Sequence, residues 1–333
     1  MNNPPRPAPS ITVTLAELIE MRHRVREVQL FSRPGQRSPL IGLHHSKLRG
    51  RGVDFDQVRV YQAGDDVRNI DWRVTARTQE PHTKLFHEER ERPIFILVEQ
   101  SRQLFFGSAV AFKSTLAAQV AALFGWATLE HNDRIGGLVY GDQEHYEIKP
   151  RRSKQSLLQL LNRLARVNAA LSTDALPAAD PLGSALRRAR EVLRPGSLGI
   201  VICDERALSD ATEQQLSLLA RHCDLLLLPI SDPLDHALPA AGLLRFGLGA
   251  AQLEVDTSDA ELRRGYQALA EARRARWERL GQKLGVLVLP LSTRADAVDQ
   301  LREYTSSRPK PGARPDVRPG AKPASPPSTG AAQ

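Results

Sequence analysis

The 333-residue chain has two cysteines, Cys203 and Cys223. That is too few for the disulfide framework of a small secreted domain, and it fits a reducing compartment. The pattern puts Cys203 at the end of one strand (198–203) and Cys223 just before the next (224–230). In parallel neighbours these are opposite edges of a sheet, roughly 15–20 Å apart at about 3.3 Å per residue, beyond the reach of a disulfide. No apolar run approaches the roughly eighteen residues of a membrane span, and the opening MNNPPRPAPS lacks the apolar stretch of a signal peptide. A cytoplasmic protein is expected. RGRG around Gly50 and Gly52 lacks the Gly-Lys-Ser/Thr of a phosphate loop, which excludes an evident ATPase. His44 and His45, beside Ser46, have no Cys or His partner at ligand spacing. Adjacent residues point apart, so a surface or capping role is expected for them.

Charge is plentiful but unevenly placed. The net charge is +8, yet residues 1–37 hold six Arg against three Glu, and residues 308–333 hold five Lys or Arg against one Asp. The stretch between is close to neutral, so the basic character belongs to solvated ends, and a nucleic-acid or anionic-membrane role is disfavoured. From His44 to Arg92 ten Lys or Arg face nine Asp or Glu, a balance that favours internal ion pairs. Asp65, Asp66 and Asp71 are therefore expected to bridge to Arg68, Arg73 and Arg77 rather than to form a carboxylate pair for acid–base work.

Residues 1–10 are Pro-rich and read as disordered, and 32–39 is turn-rich. From Thr14 the pattern places Leu15, Leu18, Ile19, Arg22 and Val25 at helical spacing, one helix ending before Pro34. Short strands over 57–61 and 83–88 flank a segment in which Asp65 or Asp66 caps a short helix with Ile70 and Val74 on one face. Beyond Pro93 the period changes. An apolar strand over 94–98 leads to a helix over 112–130, two strands over 134–140 and 145–149 around Gly141-Asp142, and a helix capped by Ser153. Then come a helix over 182–193, the strand 198–203, a helix from Asp210 with Glu213 at capping-box spacing, and the strand 224–230. A hairpin over 243–246 and 252–255 precedes a long helix opened by Ser258 and Glu261, whose arginines read as a solvated face. A strand over 286–289 and a helix opened by Thr293 and Asp296 complete the pattern. Strands alternating with helices predict an α/β fold with a doubly wound, mostly parallel sheet and helices on both faces. The expected boundaries are 1–37 for an N-terminal tail and helix, 38–92 for a small β-containing lead-in subdomain, 93–307 for the α/β domain and 308–333 for a disordered basic Pro/Gly/Ala tail.

In open α/β sheets ligands bind beyond the carboxyl ends of the strands. Two such ends carry oxygen ligands, Glu99-Gln100-Ser101-Arg102-Gln103 and Asp204-Glu205. An acid, a hydroxyl and a second acid from separate loops would suit a hard cation that keeps several waters.

The run HSKLRGRGVDFDQVRVYQAGDDVRNIDWRVTAR from His45, then FHEERERPIFILVEQS, then ISDPLDHALPAAG, resembles the "domain of unknown function 58" family. The likeness covers about Ser38 to Ser307, and its signature is carried by Arg49, Gly50, Gly52, Tyr61, Gly64, Asp65, Asp66, Arg68, Asp71, Trp72 and Arg77. The resemblance implies a core similar to a von Willebrand factor A domain in a cytoplasmic bacterial protein. It implies partners as well: a MoxR-type AAA+ ATPase and other von Willebrand A proteins, in chaperone-like assembly or maturation of protein complexes. It further implies a metal-dependent adhesion site for Mg²⁺, here degenerate. Glu99 stands for the first Asp, Ser101 keeps the first Ser, Gln103 replaces the second, Asp180 or Thr173 takes the middle-loop position, and Asp204 takes the last. Glu99 adds a methylene, and Gln103 puts an amide where a compact hydroxyl should sit. The expectation is a non-enzymatic scaffold whose strand-end face docks a protein, using Arg102 and Phe105. The alternative is a metal-dependent hydrolase with Glu99, Asp204 and Asp71 around an activated water.

Overall fold

In the computed structural model, which describes residues 10–28, 30–31, 54–87, 93–174, 178–248 and 251–306, the chain begins with α1 (Leu15–Arg24). A small antiparallel pair follows, β1 (Asp54–Val60) and β2 (His82–His87), with α2 (Trp72–Thr78) between its strands. Next come β3 (Pro93–Glu99), α3 (Lys113–Glu130), β4 (Arg134–Tyr140), β5 (His145–Arg151), α4 (Lys154–Ala169) and α5 (Pro181–Val192). The second half runs β6 (Leu198–Asp204), α6 (Asp210–Ala220), β7 (Asp224–Ser231), α7 (Pro233–His236), the hairpin β8 (Leu243–Leu248) and β9 (Ala251–Asp256), α8 (Ala260–Leu284), β10 (Leu287–Val288), β11 (Leu291–Ser292) and α9 (Ala297–Ser306).

The central sheet has the order β10-β7-β6-β3-β4-β5, with β11 also pairing β7. Every pair is parallel except β4–β5. Successive side chains of a strand point to opposite faces, and both faces are covered. Ile94, Ile96 and Val98 join a core with α1, α3, α4 and α9, while Phe95 and Leu97 join a second core with α5, α6 and α8. That is why 94–98 is apolar without alternation. The fold is mixed α/β, a mostly parallel sheet flanked by helices. Helix α3 is buried almost all round between the sheet and α1 and α4. Trp126 Nε1–H donates to Leu18 O (2.9 Å) and ties it to α1. A buried amide relay joins three further elements: Asn168 Oδ1 accepts from Val13 N–H (2.8 Å), Asn168 Nδ2 donates to Gln100 Oε1 (2.9 Å), and Gln100 Nε2 donates to Ser114 O (2.9 Å).

Several expectations need correcting. The first helix ends before Pro34 as expected, at Arg24 with a 3-10 turn after it, but some later caps differ. The box at α6 is Ser209 with Thr212, because this hydroxyl pair reaches the orphan N–H groups and leaves Asp210 and Glu213 at the positive helix end. Asp259 rather than Ser258 caps α8, its carboxylate taking two N–H groups, and Thr293 is drawn instead to Asp232. The lead-in ion pairs also differ. Asp65 binds Arg59 (2.7 Å), whereas Asp66 and Asp71 cap backbone N–H groups of the 3-10 turn Val67–Asn69 and of α2, a competing local use of a short carboxylate. Helix α2 therefore starts at Trp72, and among the described residues no ion pair joins Arg68, Arg73 or Arg77 to these acids. The α8 arginines are not all a solvated face: Arg276 binds Glu213 and Asp210, and Arg273 donates to Asp235 O (2.7 Å). Residues 1–9 of the Pro-rich start, the turn at 32–39, His44, His45, Ser46, Arg49, Gly50, Gly52 and the 308–333 tail lie outside the described residues, whereas Ser10, expected to be disordered, bridges to Ala111. No described helix is long and apolar enough to cross a membrane.

Candidate functional site at the strand carboxyl ends

Because β3, β6 and β7 run parallel, their carboxyl ends bring the acids of three loops together. Glu99, the last residue of β3, is fully buried. Its Oε1 accepts from Ser101 Oγ (2.5 Å) and its Oε2 from the backbone N–H of Asp204 (2.9 Å), stitching β3 to β6. Ser101 also caps the 3-10 turn Arg102–Leu104 by accepting Gln103 N–H (3.2 Å). The turn is held from the other side by Asp142 of the β4–β5 hairpin, whose carboxylate takes Arg102 N–H (2.7 Å).

Asp204 is equally buried, and both its oxygens are engaged. Oδ1 accepts from the N–H (2.8 Å) and Nε (2.9 Å) of Arg206, and Oδ2 accepts from Arg206 Nη2 (3.1 Å) and from Lys113 Nζ (2.6 Å). Lys113, the first residue of α3, has no exposed surface and donates also to Asp235 Oδ2 (2.9 Å), which in turn takes Asp232 N–H (2.9 Å). Asp232 holds the loop before α3 through Ser108 N–H (2.7 Å), and it receives the hydroxyls of Ser108 and Thr293. The result is one continuous polar ladder across the three strand ends.

Electrostatics separates the two principal acids. Burial pushes the Glu99 carboxyl up to about 7, helped by the negative charge of Asp204. Burial works on Asp204 in the same sense, but Lys113 and Arg206 overcome it and hold that carboxyl below the usual range. Burial first, and then the charge of Glu99, raise both the Tyr140 phenol and the Cys203 thiol well above their ordinary values. Tyr140 OH and Ser114 Oγ are buried and find no hydrogen-bond partner among the described residues.

The other expected site residues sit apart. Gln103 is exposed and reaches the ladder through its backbone, whose carbonyl accepts from Arg206 Nη2 (3.2 Å). Asp180 caps α5, taking Gly183 N–H (2.9 Å) and lying 3.7 Å from Arg187, and Thr173 lies exposed in the loop after α4. Asp71 caps α2 and lies 3.7 Å from Lys84. Among the described residues no three His, Cys, Asp or Glu side chains converge as metal ligands. With the oxygens of Glu99 and Asp204 already taken by protein donors, these residues do not fit the Mg²⁺ that the resemblance implies. Phe105 is half-buried edge-on against Phe112, while Phe106 is 40% exposed. Lys113, Arg206, Asp232 and Asp235 were not read from the sequence as site residues. The signal for Lys113 was a cation placed first in an apolar helix, against the helix dipole.

This architecture and strand-end ladder define an α/β protein with its polar centre beyond a parallel sheet. The chain belongs to the family described as "Protein of unknown function DUF58", whose model matches residues 57–276. Uncharacterized proteins Mb1516 of Mycobacterium bovis and Rv1480 of Mycobacterium tuberculosis are each 28% identical to it over 273 residues, 81% of this chain and 84% of theirs. Among solved structures, BatB from Bacteroides thetaiotaomicron aligns with a TM-score of 0.40 at 12% identity, covering 65% of this chain and 97% of that one. Proximal thread matrix protein 1 from the mussel byssus aligns at 0.30 and 13%, over 42% of this chain and 37% of that one.

Proposed function

We propose that this protein is a non-enzymatic interaction scaffold with a von Willebrand A-like core, and that its strand-end face docks a protein partner. The supporting observation is an exposed apolar patch beside a polar ladder that satisfies itself. Phe106 (40% exposed), Val110 (53%) and Ile11 (48%) lie on two paired segments, Ser10 N–H donating to Val110 O (3.2 Å) and Phe112 N–H to Ser10 O (2.9 Å). Val110 is anchored to the segment after β11 through Thr293 O (2.9 Å). Apolar side chains held on a rigid rim suit an interface core. Phe105 turns inward against Phe112, and Arg102 is half-buried in the turn that precedes it. The family resemblance makes the partner a MoxR-type AAA+ ATPase, or a client that the two handle together in assembling protein complexes.

The hydrolase reading has less support, since Glu99 and Asp204 are both closed off from solvent and Asp71 belongs to a helix cap. The test is a direct affinity measurement between the purified protein and a MoxR-type ATPase, with the double variant Phe106→Ser/Val110→Ser. The scaffold reading expects binding that the variant weakens at least tenfold. Phosphoester turnover lost on Asp204→Ala, without partner binding, would replace it.

A further inference from the structure

Lysine is rarely buried completely unless it is paired, and at the start of a helix it faces the positive end of the dipole. Lys113 accepts both conditions. Its ammonium lies between Asp204 Oδ2 (2.6 Å) and Asp235 Oδ2 (2.9 Å), with the Phe106 ring centroid 5.8 Å away. These two carboxylates follow neighbouring parallel strands, β6 and β7, at the place where an open α/β sheet offers its ligand site. A divalent cation of the Mg²⁺ type would require about six oxygens at that point. An ammonium is satisfied by three acceptors, and two carboxylate oxygens and a ring face are already there.

We infer that Lys113 is the built-in cation of the strand-end site: its ammonium holds the position of a divalent ion between Asp204 and Asp235, so the site is closed to metal. The inference is independent of which partner docks on the face. It also implies that no divalent ion gates the arrangement of the loop from Ser101 to Phe112. The Asp232 end of the ladder is anchored by protein donors alone, Ser108 and Thr293.

The experiment is thermal unfolding of the full chain in EDTA and in millimolar Mg²⁺ or Mn²⁺, for the wild type, Lys113→Met and Lys113→Ala. The wild-type midpoint should not move with metal. Lys113→Met, which fills the space without charge, should unfold several degrees lower in every buffer. Lys113→Ala should also fall in EDTA and recover part of the loss with Mn²⁺ or methylammonium. A wild-type midpoint raised by metal would overturn the inference, as would a Lys113→Met protein as stable as the wild type or a folded Lys113→Ala protein that no cation stabilises. Should neither variant fold, a Mn²⁺ titration of the wild type followed by electron paramagnetic resonance decides. A free-ion sextet that grows in proportion to added Mn²⁺ up to millimolar supports the built-in cation, and a stoichiometric loss of that signal removes it.

Discussion

Replacing Glu99 by Gln should change how stability depends on pH more than it changes stability itself. The Glu99 carboxyl is raised from 4.5 to about 7. Between those values the folded protein holds a proton that the unfolded chain has lost, so stability falls as pH rises through this window and levels off above it. A shift of this size corresponds to about 3 kcal/mol at about 1.4 kcal/mol per pH unit, and to about 2–3 kcal/mol between pH 5 and pH 8. Gln mimics the protonated acid: its amide N–H can donate to Ser101 Oγ while its carbonyl accepts Asp204 N–H. Urea unfolding at pH 5 and pH 8 should therefore show the variant close to the wild type at pH 5 and about 2 kcal/mol more stable at pH 8. His236, pushed down by burial and by Arg274, acts in the opposite sense, losing stability as pH falls below about 6.5. It is present in both proteins, and the difference between them isolates Glu99. Parallel pH profiles for the two proteins would refute the assignment.

Two further substitutions probe how the site is supported. Asn168→Ala orphans Val13 N–H and Gln100 Oε1 and should cost about 1–3 kcal/mol for each group left buried and unpaired. Hydrogen exchange should show the Val13 amide losing its protection. A Cβ on Gly141 would lie 2.3 Å from Gln100 O, backbone that cannot move aside cheaply. Gly141→Ala should cost about 1–3 kcal/mol, whereas Gly265→Ala, with open space around it on the exposed side of α8, should gain about 1 kcal/mol in the same urea assay.

Legibility in the sequence followed the range of the interactions. From Pro93 onward the strands and helices could be placed because apolar runs, 3.6-residue spacing and caps are local signals: β3, α4 with its Ser153 cap, and β7 lie where the pattern put them. The two-residue strand β11 and the four-residue helix α7 are too short to carry a period. In the lead-in segment the balance of charges suggested ion pairs, but a carboxylate next to a free N–H caps it first, and this decided Asp66 and Asp71. At the candidate site, adjacency in sequence identified Glu99, Ser101 and Asp204 as neighbours of a strand end. Asp204 meets its ammonium partner, Lys113 of α3, from 91 residues away, and Lys113 meets its second carboxylate, Asp235, on α7; no spacing rule reaches that far. Fold and strand ends were thus readable, while the charge that completes the site was not.

The central claim is that the strand-end rim docks a protein, and the affinity of the purified chain for a MoxR-type ATPase tests it most directly. The account expects measurable binding that Phe106→Ser/Val110→Ser weakens at least tenfold in a variant that still unfolds in one cooperative transition. Equal affinity for variant and wild type, or no binding at any concentration together with phosphoester turnover, would contradict it.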